Sequence, residues 1–369
     1  MKIFVSFASY RDSQLVPSLH DFIENESHLH EIIYGVCLQD SKKSLRDFEQ
    51  TFPNRNKIKI IYLHHVEAKG VCWARRLLQD AVTNEDFILQ MDSHMRSIPN
   101  WDEALITSYN ATGIDRAVLS SYPPHYSLDD SNKSYLNTSI YMNVTRMNLP
   151  VRKKTTLHGC AGDYLNKTGK PIRNIHIAGG FYFAPTKWIK DSPYPKDLYF
   201  EGEEDTITFL SYTHGWTVFC PEKAIVYHSY TNNLSHSPEK YRPLHWEDHP
   251  ENRPSNNEFN IDTVKIGSKR TVEDYFKELN QFTDNYKQFE LHYQPKNAFI
   301  FQLFDRDKKT IYTKHSPQIT NNILQLDCKQ ELLHSAYSYT ITEMDDDNIN
   351  KISKVKYIFY YSFIWNPSQ

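Results

Sequence analysis

The chain lacks a cysteine framework. Its five cysteines (Cys37, Cys72, Cys160, Cys220 and Cys328) are widely spaced and contain no C-x-x-C, which excludes a disulfide scaffold and a cysteine zinc site and fits reduced thiols. No apolar run approaches the roughly 18 residues of a membrane-spanning helix, and Met1-Lys2-Ile3-Phe4-Val5-Ser6-Phe7 reads as a first strand, far too short for a signal peptide. These absences predict a cytoplasmic protein with no transmembrane segment; peripheral contact at the inner face of a membrane stays open. Basic clusters are missing as well. The 42 Lys and Arg face 45 Asp and Glu, for a net charge of −3, and Arg152-Lys153-Lys154 suits a solvated loop. No nucleic-acid partner has electrostatic support. Glycine is scarce, at 11 residues against 25 Tyr and 20 Phe. Aromatic rings are therefore expected to carry much of the core, with some left to pack on sugar faces.

What is present alternates in type. Residues 2–8 read as a buried strand, broken at Ser9-Tyr10-Arg11-Asp12 and followed by a helical pattern to about residue 25. Further strands are expected at 31–38, 57–63, 87–91 and 116–121. Val71, Ala74, Leu77, Leu78 and Ala81 recur at helical spacing after Gly70, and Asn100 with Glu103 has the form of a capping box starting a helix at Trp101. Alternation of this kind predicts an α/β fold, a Rossmann-like, mostly parallel central sheet flanked by helices. Residues 127–170 are rich in Asn, Ser, Lys and Thr and read either as an acceptor-side lid or as a plain surface insertion. After about residue 286 alternating apolar stretches take over. The expected organisation is a catalytic domain over 1–285 and a small β-rich accessory region over 286–369.

Four features could carry chemistry. The apolar strand Phe87-Ile88-Leu89-Gln90-Met91 stops on Asp92-Ser93-His94, two ligand-type side chains at i and i+2, at a strand end where α/β sheets collect ligands. A late His at a strand end, His228 in Tyr227-His228-Ser229-Tyr230, could complete a divalent metal site with Asp92 and His94. A carboxylate–imidazole set suits Mn²⁺ better than Mg²⁺. Arg75, near the start of a helix, could meet phosphate. The loop Ser6–Asp12 after the first strand, with Ser6, Ala8, Ser9 and Arg11, is placed to meet a nucleotide base and ribose. Gly179-Gly180 would let backbone approach a ligand. Glu203, Glu204 and Asp205 open a helix, either as capping carboxylates or as partners of sugar or acceptor hydroxyls.

The ordered set G-V-C-W-A-R, F-I-L-Q-M-D-S-H, A-G-G-F, E-G-E-E-D, H-G-W-T-V and Y-H-S-Y resembles the retaining, metal-dependent GT-A glycosyltransferases, among them the polypeptide N-acetylgalactosaminyltransferases. With the opening A-S-Y-R-D it is most similar to the hydroxyproline-polypeptide α-N-acetylglucosaminyltransferases and their bacterial relatives, over roughly residues 1–285. The resemblance implies a GT-A fold and transfer of GlcNAc from UDP-GlcNAc, with Asp92, His94 and His228 holding Mn²⁺ (or Mg²⁺). It puts Arg75 and the Ser6–Asp12 loop at UDP, and Gly179, Gly180 and the Glu203–Asp205 cluster, Glu204 foremost, around sugar and acceptor. The chain has G-E-E-D where the galactosaminyl enzymes have G-G-E-N, and 286–369 does not resemble their lectin domain. The acceptor is expected to be a glycan or protein hydroxyl; Asn, Lys and Ile usage suggests a bacterial surface polysaccharide, capsule or lipopolysaccharide. UDP-GalNAc or UDP-Gal as donor, a non-catalytic carbohydrate-binding protein, and a metal-dependent phosphoesterase or nucleotidyltransferase are the competing readings.

Overall fold

The computed structural model describes residues 1–54, 56–128, 169–200, 202–230, 243–249 and 265–275, and short pieces of secondary structure elsewhere. The chain divides into two units, Met1–Gly159 with Asn166–Val272, and Cys160–Leu165 with Glu273–Gln369.

The first unit contains strands β1 (Lys2–Tyr10), β2 (Glu31–Asp40), β3 (Ile58–His64), β4 (Phe87–Asp92), β5 (Met95–Ser97), β6 (Ala117–Ser120), β7 (Ile172–Asn174), β8 (Phe181–Pro185), β9 (Thr217–Cys220) and β10 (Val226–His228). Its helices are α1 (Leu15–Glu24), α2 (Lys42–Thr51), α3 (Val71–Asp80), α4 (Trp101–Ala111), α5 (Lys187–Asp191), α6 (Glu203–Thr213) and the short α7 (His245–Asp248). Eight strands form one sheet in the order β7-β9-β6-β8-β4-β1-β2-β3. β1 runs parallel to β2 and β4, β2 to β3, and β9 to β6; β8 is antiparallel to β4 and β6, and β7 to β9. This is the expected α/β architecture with a mostly parallel central sheet. The second unit contains antiparallel strands, with Phe299–Phe304 paired to both Thr310–His315 and Ser338–Glu343.

β1 shows why the sequence folds this way. Its residues Ile3 to Phe7 are all buried, as a parallel strand covered on both faces requires. Tyr182, Trp188, Tyr194 and Trp216 are fully buried together in the core, so the aromatic surplus does fill the interior.

Several local expectations shift. β1 continues to Tyr10, so Ser6, Ala8 and Ser9 are strand residues and not part of a loop. The polar side chains misled the reading: Ser6 is satisfied inside the sheet by Gln90 Oε1 at 2.8 Å. Asn100 adopts a left-handed conformation with φ 58° and makes no side-chain cap, and Glu103 turns to His30 Nε2 at 2.9 Å, so no capping box forms. The inward face of α3 holds Cys72, Ala74, Arg75, Leu78 and Gln79. It is rotated from the apolar stripe so that an arginine faces the core, while Val71 and Leu77 are only partly buried. α6 begins at Glu203 itself. The stretch 127–170 lies largely outside the described residues, apart from short strands such as the pair Tyr126–Leu128 and Ser134–Leu136.

Candidate active site

Three potential ligands converge where β4 ends. Asp92 closes the strand, the chain bends through Ser93 and His94, and β5 begins. β5 pairs antiparallel with β10 in the register His228↔Met95, Tyr227↔Arg96, Val226↔Ser97. That ladder, with Ser229 N–H donating to the His94 carbonyl at 3.2 Å, carries His228 to His94 across a long stretch of sequence. The two Nε2 atoms lie 3.0 Å apart, His228 Nε2 is 3.1 Å from Asp92 Oδ2, and His94 Nε2 is 4.0 Å from the same oxygen. All three side chains are partly exposed, 24% for Asp92 and 12% for each histidine, so the cluster has an open side.

The donor set fits the metal that the resemblance implies. Two imidazole nitrogens cannot both present lone pairs to each other at 3.0 Å without repulsion, and a cation between them removes the conflict. Two nitrogens, one carboxylate oxygen and an open side are a donor set that divalent transition-metal ions accept.

Behind the ligands lies a buried charge network. Arg75, 3% exposed, donates through Nη2 to Asp92 Oδ1 at 2.6 Å and through Nη1 to both Glu203 oxygens at 2.9 and 2.8 Å and to Tyr194 Oη at 2.7 Å. Burial opposes ionisation of Asp92, but Arg75, with His228 and His94, outweighs it and holds the carboxyl well below its usual range. Burial likewise opposes the charge on Arg75, and Glu203 and Asp92 more than restore it. Arg75 therefore braces Asp92 from behind, its fork occupied by protein groups.

The Gly pair belongs to the same contact. β8 starts beside Asp92, with Phe181↔Met91 in register and Asp92 N–H donating to Gly180 O at 3.3 Å. A Cβ on Gly180 would stand 2.7 Å from Asp92 Oδ2, and one on Gly179 would stand 2.7 Å from Glu203 Oε1 and 2.8 Å from Arg75 Nη1. The glycines let backbone approach this network closely.

The three acidic residues at the start of α6 occupy different places. Glu203 is bound to Arg75 and also accepts from Cys72 Sγ at 3.4 Å. Asp205 is 2% exposed. Glu204 is the accessible one, at 24%. It accepts from Gly179 N–H at 2.8 Å and Tyr122 Oη at 2.7 Å, and the buried His176 lies 3.6 Å away. Burial pushes the Glu204 carboxyl up, but His176, Tyr122 and Gly179 together bring it below its usual range.

Past the end of β1, Arg11 has φ 46° and pairs with Asp248 on α7, to which Tyr10 Oη donates at 2.6 Å. The Tyr10 ring packs on His245 at 4.7 Å. Asp12 turns the other way, toward His94, with 2.7 Å between Oδ2 and Nδ1. The sequence reading placed Asp12 only within a loop and missed this contact, as it missed Tyr122, Tyr194 and His176. No local signal marks Asp12; the structure explains the contact, because β1 pairs with β4 in the register Ala8↔Asp92, so residues just beyond Ala8 neighbour those just beyond Asp92.

A family model described as Glycosyltransferase (GlcNAc) matches residues 2–50 and 43–259. No curated protein matches the chain. Among solved structures it is similar to the crystal structure of GalNAc-T7 with UDP, GalNAc and Mn²⁺ (13% identity, TM-score 0.49, 94% of this chain and 72% of that one). It is also similar to S. aureus TarS 1-349 in complex with UDP-GlcNAc (14%, TM-score 0.39, 64% and 61%) and to S. aureus TarS (12%, TM-score 0.41, 98% and 78%). Among the described residues no helix is long and apolar enough to cross a membrane.

Proposed function

This chain belongs to the GlcNAc glycosyltransferase family, and from that premise we propose that it transfers GlcNAc from UDP-GlcNAc to an acceptor hydroxyl, with retention, at a divalent metal site of Asp92, His94 and His228. The acceptor in this reading is a hydroxyl of a bacterial surface glycan. The observation that carries the proposal is the convergence of one carboxylate and two imidazoles, their ligand atoms all within 4.8 Å of one another, at the carboxyl end of a central strand.

Negative charge developing on the departing nucleoside diphosphate is what a bound divalent cation would neutralise. The protein's own part is preorganisation. Arg75 keeps Asp92 ionised and oriented, and the Gly179–Gly180 backbone leaves room for both carboxylates. The residues at the end of β1, Arg11 among them, lie on the nucleotide side. Glu204, fixed by Tyr122 and Gly179, keeps lone pairs to accept from a sugar or acceptor hydroxyl. Retention is favoured because none of the three acidic residues is both raised and accessible. Burial raises the Glu203 carboxyl, but both its oxygens are committed to Arg75; Asp205 is buried, and the accessible Glu204 is held below its usual range, whereas an inverting enzyme needs a base poised near the working pH.

The test is UDP release from UDP-GlcNAc by the purified chain with Mn²⁺, without it and after EDTA. Slow hydrolysis that requires Mn²⁺ is the expected result. Equal release in EDTA would remove the metal from the reaction. Release only from UDP-GalNAc or UDP-Gal would reassign the donor.

A further inference from the structure

We propose that Asp12 is the positioning residue that makes His94 a metal ligand, by holding the Nδ1–H tautomer and so turning the Nε2 lone pair toward Asp92 and His228. The inference rests on the metal reading of that cluster and assigns a role to a residue outside it.

The Asp12 side chain is 1% exposed and both of its oxygens accept. Oδ1 takes the Gln14 backbone N–H at 2.9 Å, and Oδ2 takes the Ser93 hydroxyl at 2.6 Å. Oδ2 also lies 2.7 Å from His94 Nδ1. A carboxylate used in this way is an acceptor, so the ring nitrogen facing it must carry the proton. A neutral imidazole has one N–H, which leaves Nε2 bare, and Nε2 is the atom that lies 3.0 Å from His228 Nε2. A buried carboxylate on the far nitrogen fixes ring orientation and raises the basicity of the ligating one.

The surroundings keep this contact in place. Ser18 of α1 donates to the Ser93 carbonyl at 2.9 Å and accepts from Met95 N–H at 3.0 Å. The segment from Asp12 to Ser18 thus braces the turn that carries His94 on both sides. The ligand's orientation is set from the first strand–helix connection, about eighty residues away in sequence.

The experiment is Mn²⁺ titration by calorimetry on the full chain, with ¹⁵N-detected ring correlations of His94 in the metal-free protein. Wild type is expected to bind Mn²⁺ and to hold His94 as Nδ1–H. Asp12→Ala is expected to weaken Mn²⁺ about 10–100-fold and to move His94 toward Nε2–H. In a His94→Ala background it should add no further loss. A purely packing role would lower the Tm and leave the tautomer unchanged. If wild type binds no Mn²⁺, the metal reading fails. If wild type binds and Asp12→Ala binds equally, the Asp12 assignment fails and the metal reading stands. An Nε2–H tautomer in wild type overturns the assignment without any variant.

Discussion

Replacing Arg75 with methionine removes the one cation shared by Asp92 and Glu203 while keeping much of the side-chain bulk. Arg75 is 3% exposed, and the side chains it pairs with are 9% exposed for Glu203 and 24% for Asp92. Breaking a buried ion pair by removing one partner costs about 3–5 kcal/mol, because the other charge is left uncompensated. Most of that belongs to Glu203, which loses two hydrogen bonds; the Asp92 arm is more open and is discounted for solvent screening. At about 2–4 °C per kcal/mol for a domain of this size, the Tm should fall by about 6–20 °C. Thermal unfolding followed by far-UV circular dichroism in EDTA measures this without interference from metal. Asp92 has a depressed carboxyl pKa, so its share of the stabilisation is complete above the ordinary carboxylate range and is lost as pH falls through the lowered value. Glu203, which carries the larger share, has its carboxyl raised by burial even beside Arg75. In R75M it therefore takes up a proton above the ordinary carboxylate range, and the gap between wild type and R75M should begin to narrow there and close further on strong acidification. Adding Glu203→Gln to R75M removes the stranded charge and should recover more than half of the loss. A single variant within about 1 kcal/mol of wild type, or a double variant no more stable than R75M, would refute the account.

Asp92→Asn keeps an oxygen for Arg75 but removes the ligand charge; Mn²⁺-dependent UDP release should disappear while the far-UV spectrum is unchanged. Gly180→Ala sets a Cβ 2.7 Å from Asp92 Oδ2 and should weaken Mn²⁺ binding roughly tenfold or more by displacing that ligand. Gly113→Ala, with φ 64° and nothing within 4 Å, should cost about 1–2 kcal/mol of backbone strain and leave metal affinity unchanged in the same calorimetry. Asp248→Asn weakens the hold on Arg11, which the proposed function assigns to the nucleotide; UDP affinity should then rise by up to roughly fivefold, the worth of a partly exposed ion pair of about 1 kcal/mol, and unchanged affinity would remove Arg11 from the nucleotide site.

The legible part of the chain was its hydrophobic periodicity. An apolar run that stops on Asp92 announces a strand end, and Gly70 followed by spaced apolar residues announces α3. What escaped were partnerships between polar side chains. Nothing in the local sequence says that Arg75 turns inward, because its stripe position is decided by Glu203, more than a hundred residues later. Ser9 reads as a strand break and Ser6 as part of a nucleotide loop because a buried serine in a sheet looks polar locally; the Gln90 partner of Ser6 lies on the neighbouring strand. Asn100 has the composition of a cap but not the backbone conformation, which turned left-handed. The bond from Asp12 to His94 is a relation between two connections on adjacent strands, visible only once the register Ala8↔Asp92 is known.

The register of β5 against β10 has a consequence for how this scaffold can be altered. The distance from His228 to His94 is set by rungs of a ladder, and the length of chain between those strands does not enter into it. A slip by one residue would turn His228 to the opposite face, and with it the ligand would leave the cluster. The ligand pair is thus inherited as a property of one strand register, and it is lost by a change of pairing more readily than by a change of chain length.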